Sequence, residues 1–117
     1  MDHFDHEKLD VYNVAIQWVV LAQDISQSMP RGNASLADQL RRAASSIALN
    51  IAEGAGEFSP ADKARFYRMA KRSATECAAV LDVAKRRHAI QPARSKTGRD
   101  LLLRIVSMLV KLSKVLT

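Results

Sequence analysis

At 117 residues the chain suits one domain, long enough to bury a real hydrophobic core. It is 48% apolar and 26% charged but only 5% aromatic, with 4 glycines and 3 prolines, which disfavours a turn-rich β-sandwich and favours helices. The formal net charge is +6, and the single cysteine, Cys77, rules out an intrachain disulfide or an all-cysteine metal site.

The N-terminal "MDHFDHEKLD" is acidic and polar where an export signal is basic and then apolar, so a cytoplasmic protein is expected. His3, Asp5, His6, Glu7 and Asp10 are metal-ligand types. They lie at a chain end, where fraying is the rule, and no metal site is expected. The first helix is predicted at about 8–28, from the stripe Val11, Val14, Trp18, Leu21, Ala22, Ile25 and Met29. "MPRGN" breaks it.

A second helix is predicted at about 34–55, starting near Asn33 or Ser35, with Asp38 placed for a weak capping box. Leu36, Leu40, Ala43, Ile47, Ile51 and Gly54 form its core stripe, and Gly54 and Gly56 end or loosen it. Ser59 as N-cap, Pro60 at the first helical position and Asp62 in the first turn start a third helix, predicted at about 60–90. Its stripe is Phe66, Met69, Ala70, Ser73, Cys77, Val80, Leu81 and Ala84. Lys85, Arg86 and Arg87 suit its negative end, as does His88. "QPARSKTG" reads as a connector before a fourth helix at about 96–116, packed through Leu101, Leu102, Ile105, Met108, Leu109, Leu112 and Leu116. That helix carries Arg104, Lys111 and Lys114 and is too charged to span a membrane. Short links between long helices predict an all-α, antiparallel up-and-down four-helix bundle over 1–117.

Two helices are apolar on a second side. Leu9, Tyr12, Ile16, Val19 and Val20 fall largely opposite the Trp18 stripe, and Leu103, Val106 and Val110 fall outside the Ile105 stripe. In a four-helix bundle no helix is central, so these positions predict a homo-oligomer interface.

No catalytic constellation emerges. "GAGEFSP" lacks the lysine and preceding strand of a phosphate loop, Ser45 and Ser46 have no histidine within helical reach, and the Glu-x-x-His pairs of a di-iron bundle are absent. The polar residues Gln39, Arg42, Ser46, Asn50 and Glu53 instead share one stripe beside the core face of helix two. With Ser73 and Glu76 they are expected to form a hydrogen-bonded seam that sets the register of helices two and three. Asn50 and Glu53 are expected to bond to Ser73, Glu76 or helix-end backbone.

Charge is unevenly spread: residues 1–58 hold 4 Lys/Arg against 8 Asp/Glu, and residues 59–117 hold 14 against 4. The basic candidates are Arg65, Arg68, Lys71 and Arg72 with Arg86, then Arg94, Lys96 and Arg99. Such a surface binds phosphates without sequence preference. With no aromatics interleaved, reading of single-stranded bases is not expected. The competing expectation is that the acidic half pairs with the basic half.

The stretch "LRRAASSIALNIAEGAGEFSPADKARFYRMAKRSATEC", preceded by "LDVYNVAIQWV", resembles the four-helix-bundle family that includes proteins encoded in intervening sequences of bacterial large-subunit rRNA genes. The resemblance rests on Gln39, Arg41, Arg42, Ser46, Ile47, Asn50, Ile51, Glu53 and Gly54, then Phe66, Ala70, Ser73 and Glu76. Arg72 departs from it, since a glycine commonly precedes that serine. The chain is also similar to accessory proteins of diversity-generating retroelements. What the first resemblance implies is a homopentamer with no established enzymatic activity, and the second adds engagement of RNA or DNA or of a nucleic-acid enzyme; no cofactor is expected.

Overall fold

In a computed structural model the chain is described over residues 2–116, so the two end residues of the expected 1–117 domain lie outside the description. A 3-10 turn at Asp5–Lys8 leads into four helices: α1 (Asp10–Ser28), α2 (Ala34–Gly56), α3 (Pro60–Arg86) and α4 (Pro92–Val115). The described residues contain no strand, and none of their helices is long and apolar enough to cross a membrane. Each helix packs against its sequence neighbours and α1 also packs against α4, closing a ring of four around one core. Trp18, Ile25, Leu40, Ile47, Ile51, Cys77, Ile105 and Leu109 are fully enclosed there.

The expected stripe of α2 is buried throughout, and its alanines Ala37, Ala44, Ala48 and Ala55 are buried on the flank. Small side chains let α1 come close: the Ser26 hydroxyl, buried on α1, donates to the Ala22 carbonyl (2.7 Å) and lies 3.2 Å from the Ala37 carbonyl of α2. Near the N-terminus the chain forms the 3-10 turn Asp5–Lys8. This turn packs on α2, with His6 stacked on Phe4 and edge-on to Tyr12, ring centroids 4.5 Å apart in the second pair.

Helix ends follow the sequence where a side chain caps them. Ser59 accepts from the Asp62 backbone N–H at 3.1 Å and Pro60 opens α3. Asn33 opens α2 without a side-chain cap, and the box expected between Ser35 and Asp38 does not form: Asn33 donates to the Pro30 carbonyl, while Asp38 pairs with Arg41 and Arg42. Two boundaries differ from expectation by four residues, the others by two or fewer. Helix α3 stops at Arg86 rather than 90, because His88 takes a left-handed conformation (φ 58°). The Ala89 N–H then bonds back to the Ala84 carbonyl (2.8 Å) and the His88 N–H to Lys85 (3.1 Å), which is the Schellman ending. Helix α4 begins four residues early, at Pro92, since a proline at the first helical position gives up an N–H that has no partner anyway.

A histidine in left-handed backbone is strained where glycine is not. His88→Gly is therefore expected to raise stability by about 0.5–1 kcal/mol, read as a higher denaturant midpoint with an unchanged slope.

Candidate functional site

The polar stripe of α2 meets α3 over a narrow contact. Ser46 and Ser73 share a hydrogen bond of 2.9 Å between helices, and Asn50 Nδ2 donates to the Ser46 carbonyl (2.9 Å) and hydroxyl (3.0 Å). The expected seam is otherwise corrected. Asn50 bonds within α2 and not to Ser73 or Glu76, and Gln39, Arg42, Glu53 and Glu76 are exposed. Arg42 spends its charge on Asp38 at 3.3 Å. The helices carry these longer side chains away from their contact, and water solvates the charges at lower cost than burial would. What remains is an open groove of about 680 Å³ lined by Asp38, Arg42, Ser46, Asn50, Glu53 and Phe66, with exposed Leu49 on its wall. A smaller hollow of about 300 Å³ holds Ser46, Asn50, Met69, Arg72, Ser73 and Glu76.

Lys63, which sequence reasoning missed, ties the start of α3 to the end of α2. Its Nζ donates to the Ala55 carbonyl (2.8 Å) and the Gly54 carbonyl (3.3 Å), the last turn of α2, where a cation meets the helix's negative end.

The basic candidates separate into two groups. Arg65, Arg68, Lys71 and Arg72 stand exposed together on the first half of α3, around a shallow hollow of about 430 Å³ that also includes Met69 and Thr75. The Arg65 guanidinium lies over the Phe66 ring, 4.5 Å from its centroid, an arrangement that holds the cation at the surface without neutralising it. Arg86 sits at the far end of α3. There the Arg87 side chain reaches Asn33 Oδ1 (3.4 Å) and Arg94 reaches the Ser28 hydroxyl (3.2 Å). Arg94, Lys96 and Arg99 stand on the first turns of α4 rather than on a connector, and Lys96 pairs with Asp100 at 2.8 Å.

The pairing of an acidic first half with a basic second half does not occur among the described ion pairs. Each of these joins residues at most four apart: Asp2 with His3, Asp38 with Arg41 and Arg42, Asp100 with Lys96. The α3 group makes no ion pair among the described residues.

The expected assembly positions also divide. Leu9, Tyr12, Val19 and Val106 pack partly on the chain's own core and Val110 is half-buried. Ile16, Val20 and Leu103 remain 40%, 59% and 55% exposed. Phe58, on the α2–α3 link, is fully exposed and carries no sequence signal of its own.

Cys77 is enclosed. Burial pushes its thiol up to about 12 from an ordinary 9.0, the Trp18 indole N–H opposing this and the Glu76 carboxylate adding to it. That N–H has no hydrogen-bond partner of good geometry; the sulfur, a weak acceptor, only feels its polarity. Between these two values the unfolded chain holds a thiolate and the folded chain a thiol, so stability is expected to fall as pH rises above about 9. The stability gap between the native chain and Cys77→Ala, measured by urea unfolding at pH 8 and about pH 10.5, should narrow at the higher pH. A constant gap would show that the folded thiol ionises normally.

A protein of unknown function from the S23 ribosomal protein family of Bacteroides thetaiotaomicron has a crystal structure that matches this fold with a TM-score of 0.83. It is 20% identical, and the match covers 89% of this chain and 98% of that one. No functionally curated relative matches the sequence. The family model described as 23S rRNA-intervening sequence protein matches residues 7–111, almost the whole of the four-helix ring, and the chain therefore belongs to the 23S rRNA-intervening sequence protein family.

Proposed function

We propose that the protein is a non-enzymatic cytoplasmic scaffold, a homo-oligomer and specifically a pentamer, that holds nucleic acid or a nucleic-acid enzyme through a basic surface. The observation that carries this reading is the group Arg65, Arg68, Lys71 and Arg72: four exposed cations on one helix with no carboxylate bonded to them among the described residues. Unneutralised cations at helical spacing attract a polyanion, and release of its counterions drives the contact. No small-molecule substrate or cofactor enters this reading.

The short links support an up-and-down antiparallel bundle, as does the meeting of the C-terminal part of α1 with the first turns of α2 and α4. Assembly is supported by the exposed Ile16, Val20 and Leu103, apolar side chains that a second copy would cover. They also favour a second reading, a protein-interaction scaffold without nucleic acid.

Titration of labelled RNA and DNA with the protein at about 20 mM and 200 mM salt separates the two. The nucleic-acid reading expects binding at low salt that weakens steeply at the higher one, and no binding at low salt overturns it. Light scattering is expected to give five times the 12.9 kDa chain mass; a monomer would overturn the assembly.

A further inference from the structure

On α3, Arg86 lies 18 residues after Arg68, which is five whole turns at about 3.6 residues per turn, so the two side chains leave the helix in the same direction. Arg65 and Arg72 lie beside that line, both on the same side of it. The outer face of α3 is thus one stripe with cations at both ends, Arg65, Arg68 and Arg72 at one and Arg86 at the other, while Arg87, just past the helix end, lies off the line beside Asn33. At about 1.5 Å per residue, roughly 21 Å of helix separates Arg72 from Arg86. The exposed residues between them are mixed: Thr75 and Ala79 on the line, Glu76, Asp82 and Val83 beside it, and Lys85 further round the helix.

We propose that this stripe is a docking surface for double-stranded RNA, laid across the minor groove so that each basic end holds a different stretch of backbone. The inference rests on the phosphate-binding reading of α3 and specifies its partner. Three features point this way. The gap of roughly 21 Å is too far for neighbouring phosphates of one strand but suited to two backbone segments of a rigid duplex. The ends cannot adjust to a flexible strand, because one continuous helix fixes them, and the described stripe offers no aromatic ring for base stacking. The carboxylates of Glu76 and Asp82 would repel phosphates, yet they are acceptors for hydroxyl donors. The wide, shallow minor groove of an RNA duplex presents 2′-hydroxyls between its phosphate rows, and a DNA duplex presents none.

The test is fluorescence anisotropy with three probes at about 100 mM salt: an RNA duplex of about 20 base pairs, the DNA duplex of the same sequence, and one RNA strand alone. Three variants are compared with the native chain: Arg68→Gln/Arg72→Gln, Arg86→Gln/Arg87→Gln, and Glu76→Ala. Circular dichroism confirms that each is folded. The RNA duplex is expected to bind at least about fivefold tighter than either other probe. Each arginine pair should weaken it about tenfold and lower the salt dependence by about two phosphates, and Glu76→Ala should shrink the preference for RNA over DNA. Equal binding of the DNA duplex, or an Arg86→Gln/Arg87→Gln variant that binds the RNA duplex like the native chain, overturns the inference and leaves phosphate binding by α3 standing. Absence of binding by all three probes at about 20 mM salt overturns both.

Discussion

Trp18→Ala is expected to lower the free energy of unfolding by about 3–5 kcal/mol. The indole is fully enclosed on α1 and reaches across to α4, where a Cβ built on Gly98 would lie 2.9 Å from its ring and 3.1 Å from Leu81 of α3. One side chain therefore joins three of the four helices. Truncation removes its buried area and leaves a cavity that a backbone held on three sides cannot close. Trp18→Phe should lose less, because it keeps most of the ring and discards an indole N–H that lacks a well-formed hydrogen bond. Urea unfolding checks both, and a loss under about 1 kcal/mol for the alanine variant would contradict the enclosure of the ring.

Gly54→Ala is expected to destabilise by about 1–2 kcal/mol even though alanine is the better helix former. Its Cβ would lie 2.7 Å from Tyr67 Cε1 and 3.1 Å from the Phe66 Cβ. Tyr67 is itself buried, so its ring has nowhere to retreat. Two residues on, a Cβ on Gly56 meets nothing within 4 Å, and Gly56→Ala is expected to stabilise by roughly 0.5–1 kcal/mol. Opposite signs in a pair of thermal melts identify Gly54 as a contact position. Equal signs would show that both glycines act only through backbone freedom.

These glycines show where the sequence is legible and where it is not. They look alike as helix terminators, yet α2 runs through both, and only the neighbour supplied by α3 distinguishes them. Apolar spacing alone recovers the core stripe of α2 because one face repeats without interruption. On α3 the adjacent pair Phe66 and Tyr67 leaves the direction of the core ambiguous by one residue. The structure buries Tyr67 and leaves Phe66 half-exposed under Arg65. The start of α4 was available from the same proline rule that places Pro60 at the head of α3. The end of α3 was not, because a histidine in left-handed backbone has no compositional mark.

The candidate site shows the same division. Exposure of the arginines on α3 follows from helical period. Their lack of carboxylate partners does not, since charge totals for the two halves cannot say which side chains meet. The α2 stripe fails for a related reason: a shared face places Asn50 and Glu53 side by side, but the distance to α3 decides what they touch, and only Ser46 bridges to Ser73.

The central claim is that the cations on α3 hold phosphates, and the salt dependence of RNA affinity measures it most directly. The account predicts that Arg65→Gln/Arg68→Gln/Arg72→Gln reduces the slope of log affinity against log salt by roughly 2–3, close to one phosphate for each arginine removed. An unchanged slope in a folded triple variant would contradict it.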